Sequence, residues 1–441
     1  MLKNHFLIPL LVWPAALLIC AGTACAQLQI IATNILVFSP PVNGCCGEQI
    51  ELLAFSPDSR LLGVAHRAGS APKMEIWTVP ELKLTNGGVH LSGDNFRPTA
   101  IAFSADNAFV AMSGDYGDTS AARRTSPTAN QDLTFDDKDG KYVAISPVTN
   151  LLVHAGRRGI VAWQMDYYSS LGRVGRKLTN IQTASSLDWP TALSYAPDGQ
   201  TVAIAYESGK VDQWQTTIGF LWRLDMRQIA SYPNPGARFS AINYLANGTE
   251  ILTGVSNVVW LRPDLQLPTD VRLHRYQGLH VPHVFTVGRG IHATALTPDG
   301  RYLFTVAEGD HLVPSNNDKT NIITMWRVAD GRAVFTLDRD TPGTYTLAVA
   351  PNGRYLAYGR WDGLVTLAYL PLLIEEFSLA GGRVTLRWYG GSGRYQVQRR
   401  KDSDKGKWHN VGKPTTATTF SEKIPGNDKV QFYRVQSLSN P

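Results

Sequence analysis

The chain has 441 residues, 44% hydrophobic and 18% charged, which is long and apolar enough to bury a large core. Its formal net charge of +6 is not spread evenly: from Pro371 onward twelve Lys and Arg face six acids, while the rest is near balance. That excludes a uniformly basic protein and leaves one basic region, suited to an anionic polymer, a membrane surface or a cell wall, or else a solvated face.

The chain opens with an export pattern. Met1 to Ala26 carries one lysine, Lys3, an apolar run from Phe6 to Ile19, and small residues at Ala24 and Ala26 before Gln27. This is the layout of a cleaved secretory signal, too short and too lightly flanked for a spanning helix. Lipid attachment at Cys20 or Cys25 is the alternative, which the preceding residues Leu17, Leu18, Ile19 and Gly22, Thr23, Ala24 fit poorly. No later stretch is apolar over enough length to cross a bilayer, so no transmembrane segment is expected. The expectation is a protein that is secreted, periplasmic or at the cell surface, with no nucleic acid among its partners. Cys45 and Cys46 remain after cleavage and are adjacent. Bonding neighbours to each other needs a strained ring, so free thiols, a vicinal disulfide and a bridge to another chain all stay open, with export favouring oxidation.

Next comes a motif that recurs seven times: an apolar strand, a turn of the Ser-Pro-Asp or Pro-Asp-Gly kind, and a second apolar strand. The copies begin at Ala54, Ala102, Ala144, Ser194, Asn243, Ala295 and Ala348, as in AFSPDSRLLGVA and ALTPDGRYLFTV. Equivalent turn positions, Pro57, Ala105, Pro147, Pro197, Ala246, Pro298 and Pro351, step by 42 to 53 residues, the spacing of propeller blades rather than helical repeats. Residues alternate with the two-residue period of strands and no segment sustains a helical period. A third strand ends near a tryptophan in several copies: MEIWTV (74–79), IVAWQM (160–165), FLWRLD (220–225), VVWLRP (258–263) and ITMWRV (323–328). These indoles are read as core, each covering the neighbouring repeat.

This pattern resembles the WD-repeat family and its looser bacterial propeller relatives, over roughly residues 28 to 370. The resemblance implies an all-β fold with a seven-bladed β-propeller, here Gln27 to Leu370. The family's Gly-His opening is absent and its Trp-Asp ending is replaced, for example by Trp77-Thr78 and Trp326-Arg327, so its buried polar network is not carried over. Between Gly114 and Gly140 the sequence is polar and turn-rich, which predicts that one strand of the second blade is degenerate. The segment Gln29 to Phe38 has no blade of its own, and the last blade lacks an outer strand. Pairing the two would remove two open edges.

If the family topology holds, the loops after each second strand and before each first strand share one face. Longer excursions are expected there at His66 to Lys73, in blade two, at Glu207 to Thr217 and at Glu308 to Asn321. Rim residues on that face include Arg67, Arg157, Arg158, Glu207, Arg360, Trp361 and Asp362, candidates for binding because Arg and Trp dominate interface energetics. The short loops carrying Arg157, Arg158, Arg360 and Trp361 position their side chains best.

Beyond Pro371 a different β pattern runs to Pro441 and resembles a fibronectin type III or related β-sandwich. Leu386-x-Trp388, Tyr395-x-Val397 and Tyr433-x-Val435 carry that resemblance. Such modules on exported proteins serve as spacers or adhesion units, an inference from architecture alone.

Chemistry-bearing motifs are few. His280-x-x-His283 could approach one metal, but a zinc site needs four ligands and no further one is fixed; the alternative is a connection between blades five and six. Asp136, Asp137 and Asp139 before Gly140 miss the spacing of a calcium loop. No phosphate-cradling loop or nucleophile elbow occurs, so no cofactor and no metal is expected, and no catalytic residue is assigned. The sequence therefore points to an interaction protein with a protein or glycan partner. The competing class is a propeller hydrolase or lyase with a site at the central mouth.

Overall fold

The computed structural model describes residues 8–11, 30–35, 49–68, 71–90, 97–114, 120–124, 132–135, 140–156, 159–165, 176–181, 188–218, 224–233, 239–255, 272–277, 280–286, 291–307, 321–337, 344–360, 362–401, 407–424 and 430–438. Every regular element among them is a β-strand. The chain divides into two compact units, Ala32–Asn352 with Ala357–Leu367, and Met1–Ile31 with Gly353–Leu356 and Ala368–Pro441.

In chain order, β1 is Ile8–Leu11 and β2 is Ile30–Ile35. The first repeat supplies β3 (Gln49–Phe55), β4 (Leu61–Ala68), β5 (Ala71–Thr78) and β6 (Leu84–His90). The second supplies β7 (Pro98–Phe103), β8 (Phe109–Gly114), β9 (Ser120–Arg124) and β10 (Asp132–Phe135), and the third β11 (Gly140–Ile145), β12 (Leu151–Gly156), β13 (Gly159–Gln164) and β14 (Arg176–Ile181). The fourth holds β15 (Pro190–Tyr195), β16 (Thr201–Tyr206), β17 (Lys210–Ile218) and β18 (Leu224–Pro233), and the fifth β19 (Phe239–Tyr244), β20 (Glu250–Val255), β21 (Arg272–Gln277) and β22 (His280–Thr286). The sixth holds β23 (Ile291–Leu296), β24 (Tyr302–Ala307), β25 (Ile322–Arg327) and β26 (Arg332–Thr336), and the seventh β27 (Thr344–Val349), β28 (Tyr355–Arg360) and β29 (Leu364–Tyr369). The remaining strands are β30 (Leu373–Ala380), β31 (Arg383–Tyr389), β32 (Tyr395–Lys401), β33 (His409–Asn410), β34 (Thr419–Lys423) and β35 (Val430–Ser437).

Each of the first six repeats is a four-stranded antiparallel sheet of consecutive strands; the seventh takes its fourth strand from the other end of the repeat region, in the order β2-β29-β28-β27. The expected pairing of the early strand with the last repeat is therefore observed. First strands pack on one another in series, β3 on β7, β7 on β11, β11 on β15, β15 on β19, β19 on β23, β23 on β27, and β27 on β3. The contacts are apolar. Val110 and Met112 of the second sheet pack with Ala65, Met74 and Ile76 of the first, and Tyr195, Val202 and Ile204 of the fourth pack with Val153, Ile160 and Ala162 of the third. Space between sheets is tight: a Cβ on Gly63 would come within 2.7 Å of Ile101, and one on Gly359 within 2.3 Å of Ile50.

The recurring turn has a chemical reason. The Ser56 hydroxyl donates to Asp58 Oδ1 at 2.6 Å while its oxygen accepts the Leu61 N–H at 2.9 Å, and the same carboxylate accepts the Arg60 N–H at 3.1 Å. Ser104 with Asp106 and Thr297 with Asp299 repeat the arrangement at 2.6 and 2.7 Å. The residue after each acid takes positive φ: Ser59 at 62°, Asn107 at 60°, Gly300 at 71°. In these three copies the serine or threonine, the acid and a residue tolerant of the left-handed region act together to close the turn.

Several expectations are corrected. The second repeat keeps both outer strands, β9 and β10, and is not degenerate. In the fourth repeat the third strand is β17 with Trp214, not the segment at 220–225, whose last residues open β18; in the fifth it is β21, while 258–263 lies outside the described residues. The expected excursion at Glu207 to Thr217 is a tight turn followed by β17, and that at His66 to Lys73 is mostly strand, in β4 and β5. His280 and His283 lie in β22 and His274 in β21, so this segment is the outer strand pair of the fifth sheet, not a connection. Trp77 is buried, and Trp163 and Trp326 pack against the apolar clusters between neighbouring sheets, in keeping with a core role.

In the second unit, β30, β31 and β34 form a three-stranded sheet and β1, β35, β32 and β33 a four-stranded one. Leu386, Trp388, Tyr395, Val397, Tyr433 and Val435, the residues singled out from sequence, are all buried. Trp388 meets Tyr395 edge-on at 5.4 Å, and the Tyr395 hydroxyl donates to the Gly390 carbonyl at 2.6 Å. Strand β1, within the segment read as a cleaved signal, pairs antiparallel with β35.

Candidate binding cavity

The first residue of every repeat copy is small: Ala54, Ala102, Ala144, Ser194, Asn243, Ala295 and Ala348. Small side chains at equivalent places on packed first strands leave room between them. A cavity of about 510 Å³ lies there, reached by residues of all the repeats except the second. Its walls are Leu53 to Phe55, Ser194, Tyr195, Asn243, Tyr244, Thr294 to Leu296 and Leu347 to Val349, and its turn end is formed by Pro147, Pro197, Ala246, Thr297 and Pro298.

The turns around that end are tied to one another. Asp58 donates its N–H to Asn107 Oδ1 at 3.3 Å, Asn150 donates to Asp106 Oδ2 at 2.8 Å, and the Ser146 hydroxyl donates to the Gly199 carbonyl at 3.0 Å. The seventh turn reaches the first where the Asn352 N–H donates to Ser59 Oγ at 3.0 Å. Burial works to raise the Asp106 pKa, but the donors from Ser104, Ala108 and Asn150 outweigh it and hold the carboxyl below its usual value.

The lining is uneven. The fourth to sixth repeats contribute hydroxyls and an amide, with Asn243 Nδ2 donating to Thr294 Oγ1 at 2.8 Å, whereas the first and seventh contribute only Leu, Ala, Phe and Val. Among the described residues, no Asp, Glu, His, Lys, Arg or Cys lines it. Burial holds the Tyr195 phenol well above the usual tyrosine range, so it stays protonated at neutral pH. Tyr244 accepts a hydrogen bond from Gln213 Nε2 at 3.0 Å. Such a chamber can hold a neutral ligand or an inserted apolar side chain.

Of the rim residues read from the sequence, Glu207, Arg360 and Asp362 are described, and they lie at or just past the ends of the second strands β16 and β28. Arg360 lies at the end of β28, its Nε donating to Asp362 Oδ1 at 3.1 Å, so the two hold each other across the turn into β29. The backbone of Arg67 pairs with Gln49 in β4, and its side chain lies outside the described residues, as do Arg157, Arg158, Trp361, Cys45, Cys46 and Asp136 to Asp139. Glu207 donates its N–H to the Trp189 carbonyl at 2.9 Å, and the Ser208 hydroxyl donates to Asp188 at 2.7 Å, which ties the entry and exit loops of the fourth sheet together. Of the described candidates, Glu207, Arg360 and Asp362 do not line the cavity. Among the described residues no group of three or more His, Cys, Asp or Glu could hold a metal ion.

Two features escaped the sequence reading. The cavity positions were visible as the leading residue of each copy, but small residues carry no chemical flag. The other is a largely buried pair, His66 Nε2 and Glu75 Oε1 3.7 Å apart, with the Trp77 indole donating to Glu75 at 3.0 Å.

No protein-family model matches the sequence, and no curated protein matches it. Among solved structures the chain resembles the crystal structure of the Myceliophteria thermophila Cps50 (Swd1) beta-propeller domain, at 12% identity and a TM-score of 0.53, covering 77% of this chain and 100% of that one. The likeness shows the fold alone: the chain contains a β-propeller.

Proposed function

We propose that the protein is an exported interaction scaffold. Its seven sheets are read as the blades of one seven-bladed propeller, and its C-terminal strands as a small fibronectin type III-like β-sandwich. Its partner is a protein or glycan of the cell surface or envelope. The observation that carries this reading is the cavity wall itself: six repeats converge on it, and their described residues there include no acid, base or thiol. A propeller is a common base for recognition because its loops and turns converge from distant parts of the chain. No described helix is long and apolar enough to cross a membrane, which agrees with attachment through a partner but says nothing of strands.

The competing reading, a hydrolase or lyase at the central mouth, needs titratable groups from several repeats around the axis. The described turn end supplies none.

The test is partner capture from an envelope fraction with the intact chain and two variants. Ala348→Trp fills the cavity wall; Arg157→Glu with Arg158→Glu inverts charge in the segment between β12 and β13. Loss of a saturable partner with either variant supports the scaffold reading and assigns the face. Equal capture by both would leave neither face as the binding surface and would overturn it. Export is tested separately by sequencing the N-terminus of the mature protein, expected at Gln27; cleavage there would remove β1 and leave β35 as an edge strand.

A further inference from the structure

The outer face of the β32–β35–β33 sheet carries an organised set of cations and rings. Register places Gln398 opposite Arg434 and Arg400 opposite Phe432 on the paired strands, with Asn410 beside Gln398 on the third. Because alternate residues share a face, Arg400, Phe432, Gln398, Arg434 and Asn410 lie together, and Trp408 precedes β33 beside them. The guanidinium of Arg400 lies 4.4 Å from the Phe432 ring centre and 5.4 Å from that of Trp408, and Arg434 lies 4.2 Å from Trp408. A second row is bonded in line: Arg434 Nε donates to Gln398 Oε1 at 2.7 Å, and Gln398 Nε2 donates to Asn410 Oδ1 at 2.7 Å.

Among the described residues this face carries no counter-charge. On the opposite face Arg399 has one, donating to Glu422 at 3.0 Å, and on the other sheet Arg387 lies 3.4 Å from Glu376. Among the described residues no carboxylate lies within ion-pair distance of Arg400 or Arg434, although Arg434 is only 8% exposed. Burial, with Arg400 next to it, lowers the affinity of Arg434 for its proton. Two guanidiniums set against rings, with no carboxylate partner among the described residues, form a site that an external oxyanion would complete.

We propose that this face binds the carboxylates of an acidic polysaccharide, with the terminal nitrogens of Arg400 and Arg434 gripping successive uronate groups and the Asn410 amide reading sugar hydroxyls. The observations favour a polysaccharide because an amide row, Gln398 and the exposed Asn410, runs across the paired strands beside the cations. A linear chain can lie along such a row. The proposal does not depend on the propeller reading.

The full chain is run by affinity electrophoresis in gels containing polygalacturonate, amylose or inorganic polyphosphate. The expected result is retardation by polygalacturonate and not by amylose. The double variant Arg400→Gln, Arg434→Gln should bind at least tenfold more weakly, while Arg383→Gln with Arg387→Gln, which removes the same charge from the other sheet, binds as the parent does. Should the first pair fail to fold, Arg400→Lys with Arg434→Lys keeps the charge but loses the planar fork, and severalfold weaker binding is expected. Absence of retardation by polygalacturonate overturns the proposal. So does equal weakening by the control pair, which would mean bulk charge alone, or equally strong retention by polyphosphate, which would mean a general polyanion surface.

Discussion

Glycines at the turns show how single residues are constrained. Gly199 has a φ of 66°, and a Cβ there would come within 2.1 Å of Val148 of the preceding repeat; Gly353 has a similar φ of 68° but open space around it. Both substitutions to Ala meet the backbone penalty, about 1–2 kcal/mol, but only Gly199→Ala also meets a neighbour. Urea unfolding should rank Gly199→Ala as clearly the more damaging. Trp388, fully buried against Tyr395, is the residue whose loss should cost most in the C-terminal unit, about 3–5 kcal/mol for Trp388→Ala, read as a lowered unfolding midpoint. The partly buried Glu75 gives a pH signature. Burial acts to raise its pKa, but His66, the Trp77 indole and Lys73 more than offset this and hold it below 4.5. A depressed folded value means that the unfolded chain takes up the proton first, so this contribution is full above pH 4.5 and fades as pH falls through the folded value. Glu75→Gln should therefore lower stability at neutral pH and flatten the acid limb of the stability curve, measured by denaturant titration from pH 7 to 3.

Among elements, inner strands were legible in the sequence and outer strands less so, for a physical reason. A first or second strand is covered on both faces and reads as an apolar run, such as LLGVA or YLFTVA. The outer strands β9 (SAARR) and β10 (DLTF) lack that pattern, so their pairing could not be read from periodicity. Tryptophan was a good marker of the third strand at Trp77, Trp163 and Trp326, but the third strand of the fourth repeat carries Trp214 instead and that of the fifth, β21, carries none. The cavity was hidden for a different reason: it is made by what is missing at one repeat position. The Arg400–Trp408–Arg434 cluster was hidden because its members come together only through strand register. The edge strand β2 carries a further prediction. Deleting residues 27–36 strips β29 of its outer partner and exposes a row of unpaired backbone groups. The deleted protein should self-associate, seen as concentration-dependent earlier elution in size-exclusion chromatography.

For the molecule as a whole, the pairing of β2 with β29 sets an order of events. A ribosome delivers Ile30–Ile35 early, yet the strand it needs, Leu364–Tyr369, arrives only after all six other repeats have been made. Contacts between such distant stretches form slowly, since a very long loop must be drawn in before any bond rewards it. If the chain is exported, it would cross as an open thread whose two halves of one sheet meet only on the far side. During that interval the early segment is an orphan, and its survival depends on not finding another copy first.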